Sequence, residues 1–168
     1  MKLINIIKES HYEKIGKGNW GSVYEKNGKI YKLTEDDTEI LVSKRILKFK
    51  GDLKHFPKIY SMKKTGKNSF DEDRYIIVKH KYNLITDVPE FMDVVNIVKK
   101  HSSNIMAHIV NQKNDLSEEV KDNDVLYGNV LGIIQEFNML KLGGLVLLDF
   151  HLSNLGIDEG NNIVLFDY

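Results

Sequence analysis

The sequence predicts an α+β protein in two parts: a strand-rich first half with one helix, and a mainly helical second half closed by a short hairpin. Two patterns predict it. Up to about residue 82 the apolar residues come in short β-rich runs broken by glycine turns, whereas from Pro89 they recur with helical period. Length agrees, because 168 residues can bury a real core as one domain or two small lobes. The expected division is 1–82 and 83–168.

In order, HYEKIGKG and SVYEKNGKIYKLT carry β-branched and aromatic residues, with Asn27-Gly28 as a hairpin signal. DDTEILVSKRILKF predicts a helix with Asp37 or Thr38 as N-cap and Gly51 as its stop. FPKIYSM and DRYIIVKHKY predict further strands about a turn in KKTGKNSFDED. PEFMDVVNIVKKHSSNIMAHIV opens on a proline suited to a first helical turn, and NQKNDLSEEVKDND predicts a loop or frayed helix. VLYGNVLGIIQEFNMLKL places Leu126, Val130, Ile133, Ile134, Phe137 and Leu140 on one helix face, ended by Gly143-Gly144. NLGIDEGNNIVLFDY predicts two short strands about a Gly-Asn turn.

Composition narrows the function. Lys plus Arg equals Asp plus Glu at 24 each, which argues against a globally basic nucleic-acid or membrane binder and leaves a local basic patch open. With no cysteine there is no disulfide or thiolate metal site, as suits a reducing cytosol. MKLINIIKES is too short an apolar run for a signal peptide, and nothing reaches the roughly 18 apolar residues of a membrane span. The expectation is a cytoplasmic protein. His80, His101 and His108 lack metal-ligand spacing, and His11 and His55 stay unassigned.

IGKGNWGSVY holds Gly16, Gly18 and Gly21 in GxGxxG spacing. A dinucleotide site would need a helix straight afterwards, and a hairpin follows instead. Two readings remain: a glycine-rich strand–turn–strand lid over nucleotide phosphates, with Ile15 before it and Val23 after it, or a tight β-turn that needs positive φ. Lys32 shares a strand face with Ile30 beneath that turn, and is either a phosphate-binding cation or a solvated strand lysine.

Near the end of the chain, Asp149 and Asn154 are separated by four residues, and Asp167 follows Asn154 by thirteen at the end of the expected hairpin. Taken alone, Asp149 and Asn154 could also be turn formers, and Asp167 a surface charge. GKGNWGSV, IYK, a helix, YIIVKHK, a long helix, DFHLSN and FDY occur in the order of the protein-kinase-like superfamily, which the chain resembles over residues 12–168. The D-x-H-x-x-N loop is similar to that of aminoglycoside and choline phosphotransferases and of small bacteriophage-encoded protein kinases.

The resemblance implies a bilobal fold with a truncated helical C-lobe, and an Mg-ATP-dependent phosphotransferase, foremost a compact Ser/Thr protein kinase. It implies Asp149 as acceptor of the attacking hydroxyl's proton, His151 near the transferred phosphate, and Asn154 and Asp167 as ligands of Mg²⁺. Lys32 would steady the phosphates of ATP and Gly16, Gly18 and Gly21 would cover them. Adenine would lie against Ile15, Val23 and Ile30 and bond to backbone between Lys79 and Lys81.

The sequence departs from the family pattern in several places. Aligning SKRIL puts Ser43 where a glutamate normally pairs with the lysine, and Glu39 lies one turn earlier, so that pairing stays open. Leu148 replaces an arginine, which argues against control by a phosphorylated activation loop; Ile30 replaces a small residue, and Tyr168 follows Asp167. No peptide-holding segment follows, so a protein partner or a second copy is expected to complete the site. The alternatives are a nucleotide-binding pseudokinase acting on a protein partner, a small-molecule kinase, and an unrelated α+β binding domain.

Overall fold

A computed structural model describes residues 12–18, 21–111, 115–145 and 149–167. The fold is α+β, with an antiparallel sheet and one helix in the first part and helices with a small sheet in the second. The described residues of 1–50 and 58–81 form one compact unit, and those of 51–57 and 82–168 form another.

In the first unit, strands β1 (Glu13–Gly18), β2 (Gly21–Lys26), β3 (Lys29–Thr34), β4 (Ile59–Lys67) and β5 (Asp73–His80) make a sheet of order β1-β2-β3-β5-β4. Asn27 and Gly28 both take positive φ (52° and 68°), the twist that a two-residue hairpin demands, and join β2 to β3. Strand β4 runs on through Lys67, into the segment expected to be a turn, because Lys64 and Lys67 still pair with β5. A register shift between Lys14 and Gly16 leaves Ile15 as a bulge in β1.

Helix α1 (Asp37–Lys48) is capped one residue before the first of the two expected caps, Asp37 and Thr38. Asp36 is the N-cap, its Oδ1 accepting from the amides of Thr38 (2.7 Å) and Glu39 (3.2 Å). Asp37 and Glu39 in the first turn and Arg45 and Lys48 in the last complement the helix dipole. Ile40, Val42 and Ile46 are buried. The helix stops at Lys48, its Phe49 cap already extended, before Gly51 is reached.

In the second unit, a 3-10 turn at Pro89–Phe91 leads into α2 (Met92–Asn111); α3 (Glu118–Lys121) and α4 (Asp124–Met139) follow. Val94, Val98, Ile105 and Ile109 of α2 and Leu126, Val130, Ile133 and Phe137 of α4 are fully or almost fully buried, each burial worth about 1.5–3 kcal/mol. Ile134 sits at the edge of this stripe, half-buried. Helix α4 ends at Met139 because Lys141 takes φ of 55°, so the left-handed stop comes before Gly143-Gly144. Strands β6 (Asn83–Leu84), β7 (Leu155–Ile157) and β8 (Ile163–Leu165) form a second sheet with β7 central. The β7–β8 turn is held by Asp158 Oδ1, which accepts from Gly160 N and Asn162 N, both at 2.8 Å. Among the described residues no helix is long and apolar enough to cross a membrane.

Candidate functional site

Each unit, taken by itself, holds one group of chemically suggestive residues. In the first, strand register sets a face. Gly16 lies opposite Val23, Val23 opposite Lys32, Lys32 opposite Ile77, and Ile30 opposite Lys79. Directly opposed residues of antiparallel strands share a face. Val23, Ile30, Lys32, Ile77 and Lys79 therefore line one side of the sheet.

Glu39 of α1 meets that side. Its Oε1 accepts from Lys79 Nζ at 2.5 Å, and Lys32 Nζ lies 3.0 Å from its Oε2. The Lys32 contact is an ion pair. The Glu39 side chain is 1 % exposed, Lys79 5 % and Lys32 17 %. Burial pushes the Glu39 carboxyl up, but Lys79 and then Lys32 override it and hold the group below its ordinary value. Glu39 thus pairs with Lys32, which sequence left open. Ser43, the other candidate, is buried with no hydrogen-bond partner for its Oγ among the described residues.

The glycines differ in what requires them. A Cβ on Gly21 would fall 2.0 Å from Leu33 O, so β2 and β3 can close only with glycine there. Gly16 has ordinary space, with Val23 Cβ at 3.8 Å. Gly18 pairs with Gly21, while the expected lid tip, Asn19 and Trp20, lies outside the described residues. Ile15 is 48 % exposed and Lys81 Nζ pairs with Glu25 (2.8 and 2.9 Å). The amides of His80 and Lys81 donate to Lys58 O (2.9 Å) and Gly28 O (3.3 Å), so a base edge at 79–81 would find those two N–H groups already engaged.

In the second unit the loop before β7 gathers the remaining residues. Asn154 Nδ2 donates to Asp149 Oδ2 (2.9 Å) and Asp149 O (3.2 Å), and Asn154 O accepts from Phe166 N (3.0 Å). Asn154 therefore holds Asp149 by its side chain and the residue before Asp167 by its backbone. His151 caps the 3-10 turn Leu152–Asn154, its Nδ1 3.1 Å from Ser153 Oγ. Leu148 and Tyr168 lie outside the described residues.

Sequence reasoning missed a clamp behind this loop. Glu136, buried on α4, accepts from the amides of Lys54 (2.7 Å) and His55 (2.9 Å). His55, also buried, has Nδ1 3.0 Å from Ile163 O, while its own carbonyl accepts from Leu165 N (2.9 Å). That contact to a carbonyl puts the proton on Nδ1. Asn129 Oδ1 accepts from Ile163 N at 2.6 Å. Strand β8, which leads to Asp167, is thereby fixed along its outer edge. The only sequence signal was a glutamate beside Phe137 on the apolar face of a helix.

The residues expected to hold magnesium are of the chemical type that ion takes. The side chains expected to hold it, the carboxylate of Asp167 and the amide oxygen of Asn154, are hard oxygens, and this ion takes one or two carboxylates with water and phosphate completing the shell. Among the described residues no three His, Cys, Asp or Glu side chains come together as a metal site.

No protein-family profile matches the chain, and no protein of curated function matches it. Two crystal structures of aminoglycoside phosphotransferase APH(4)-Ia are similar to it. A thermostable mutant in apo form has 14% identity and TM-score 0.46, over 99% of this chain and 70% of that one. The second has 13% identity and TM-score 0.46, over 98% of this chain and 69% of that one.

Proposed function

We propose that this protein is an Mg-ATP-dependent phosphotransferase that moves the γ-phosphate to a hydroxyl, foremost that of a serine or threonine in a protein. The observation that carries the reading is the arrangement around Asn154, one side chain and one carbonyl tying Asp149 and the approach to Asp167 together. The ion pair of Lys32 with buried Glu39 supports it, since the lysine ammonium is a compact cation suited to phosphate oxygens.

Phosphoryl transfer needs positioning and charge neutralisation more than covalent chemistry. Asp149 orients the attacking hydroxyl and accepts its proton. Lys32 binds phosphate oxygens, backbone from Gly16 to Gly21 covers them, and His151 lies beside the group in transfer. Ile15, Val23 and Ile30 pack against the base. Asn154 and Asp167 would hold Mg²⁺, which would supply neutralisation of phosphate charge when bound.

Transfer of labelled γ-phosphate to a protein or peptide pool tests this. Asp149→Asn should lower the rate by about 10²–10⁴-fold, the usual contribution of a general base. A rate unchanged by that substitution sinks the assignment of Asp149. Binding without any transfer would leave a nucleotide-binding regulatory module instead, and transfer to a small alcohol alone would leave a small-molecule kinase.

A further inference from the structure

Helix α4 carries a glycine that no contact among the described residues requires. Glycine inside a helix is destabilising relative to alanine, yet at Gly128 a Cβ would meet nothing within 4 Å. Gly132, one turn on, differs, because the His55 ring occupies the place of its side chain. Both glycines line a cavity of about 610 Å³, all of whose lining residues belong to the second unit. Val125 and Met139, 50 % and 49 % exposed, line it from the same helix. From Val125 the steps to Gly128, Gly132 and Met139 are three, four and seven positions, which keeps all four on one face. The whole strip is fourteen positions long, about 21 Å along the helix axis. It is apolar at its ends and bare in the middle.

Polar groups along this strip specify what lies on it. His55 is 8 % exposed, and its Nδ1 proton goes to Ile163 O. Its Nε2 is then an acceptor with no partner among the described residues, held over Gly132 in the cavity lining. A buried acceptor left open calls for an N–H donor. Charge points the same way. Of the three carboxylates in the lining, Glu136 is already engaged by two backbone amides. Asp52 and Asp124 are exposed and form no ion pair among the described residues, against the one ammonium of Lys54. The strip is open to water at Val125, Gly128 and Met139, so a small molecule would bury too little of its surface there. An extended chain rises about 3.3 Å per residue, so about six residues span the 21 Å.

We propose that this cavity is a docking groove for an extended segment of a partner protein, about six residues long, with lysine or arginine beside apolar side chains. The apolar side chains rest on Val125 and Met139, and the segment's backbone crosses the bare stretch at Gly128. One of its N–H groups donates to His55 Nε2, and its cation faces Asp52 and Asp124. The groove is independent of the phosphotransferase reading, and either can fail without the other.

Random hexapeptides displayed on phage and panned on the immobilised full chain test this, with recovered sequences synthesised and their affinities read by fluorescence polarisation. Recovered sequences should be enriched in lysine or arginine beside apolar residues. Gly128→Leu puts a side chain on the bare stretch and should weaken their binding about tenfold or more. Asp52→Asn and Asp124→Asn should each weaken it about two- to fivefold, as loss of an exposed ion pair does. Added salt should weaken binding to the parent more than to the double aspartate variant. If circular dichroism shows Gly128→Leu unfolded, the two aspartate variants, both at exposed positions, carry the test. No enrichment over the starting library overturns the inference, as do enriched sequences that are acidic. So does binding to folded Gly128→Leu, or to the double aspartate variant, as tight as to the parent. A dimer of the parent chain in analytical ultracentrifugation that Gly128→Leu abolishes also overturns it, because the occupant is then a second copy of this chain.

Discussion

Gly128 and Gly132 lie one turn apart on α4 and should respond oppositely to alanine. Helix propensity favours alanine over glycine by about 1 kcal/mol at either position. At Gly128 a Cβ meets nothing within 4 Å among the described residues, so the whole gain should appear. At Gly132 a Cβ would fall 2.0 Å from His55 Nε2 and 2.5 Å from its Cδ2. That ring is buried and held by its Nδ1 bond to Ile163 O, while its backbone amide is held by Glu136. Displacing it costs about 1–3 kcal/mol for overpacking plus about 1 kcal/mol for the hydrogen bond. Subtracting the propensity gain leaves a net loss of about 1–3 kcal/mol. Urea denaturation followed by circular dichroism should therefore move the Gly128→Ala midpoint up and the Gly132→Ala midpoint down. Gly132→Ala as stable as Gly128→Ala would refute the argument, because it would mean that the His55 ring yields at no cost and does not clamp β8.

Further expectations follow from the same contacts. Glu136→Ala strands two backbone amides and should destabilise the protein by about 2–5 kcal/mol, read as a fall in denaturation midpoint. Gly21→Ala sets a Cβ against the Leu33 carbonyl and should cost about 1–3 kcal/mol or more, with amide exchange rising across β2 and β3. Glu39, held below its ordinary value of 4.5 by Lys79 and Lys32 against burial, adds stability that is present above that pH and lost as pH falls through the lowered folded value. Midpoints measured from pH 7 to pH 3 should therefore drop below about pH 4.5, and Glu39→Gln should flatten that drop.

Local pattern made much of the architecture legible. Asn27-Gly28 marked the β2–β3 hairpin, and the apolar stripe from Leu126 to Leu140 marked α4, because each is a property of neighbouring residues. Cap positions were less legible. Asp36, Asp37 and Thr38 can all cap, and only geometry shows that Asp36 Oδ1 reaches two amides. The partners of Glu39 could not be read from sequence, since helical spacing alone does not say which turn of α1 faces Lys32. Lys79 was expected to act only through its backbone, beside a base, and its buried ammonium follows from its register opposite Ile30 on the face that Lys32 shares. The Glu136–His55–Ile163 clamp joins residues 81 and 108 positions apart, with no periodic signal to announce it.

The central claim is that this chain binds Mg-ATP, and a thermal-shift titration tests it most directly. At a nucleotide concentration about 100 times the dissociation constant, linkage predicts about 2.7 kcal/mol of stabilisation. For a chain of this length that is a rise in Tm of about 5–11 °C. The rise should require magnesium and shrink in Lys32→Met and Asp167→Asn. No rise at millimolar ATP with magnesium, from protein shown to be folded, would contradict the account.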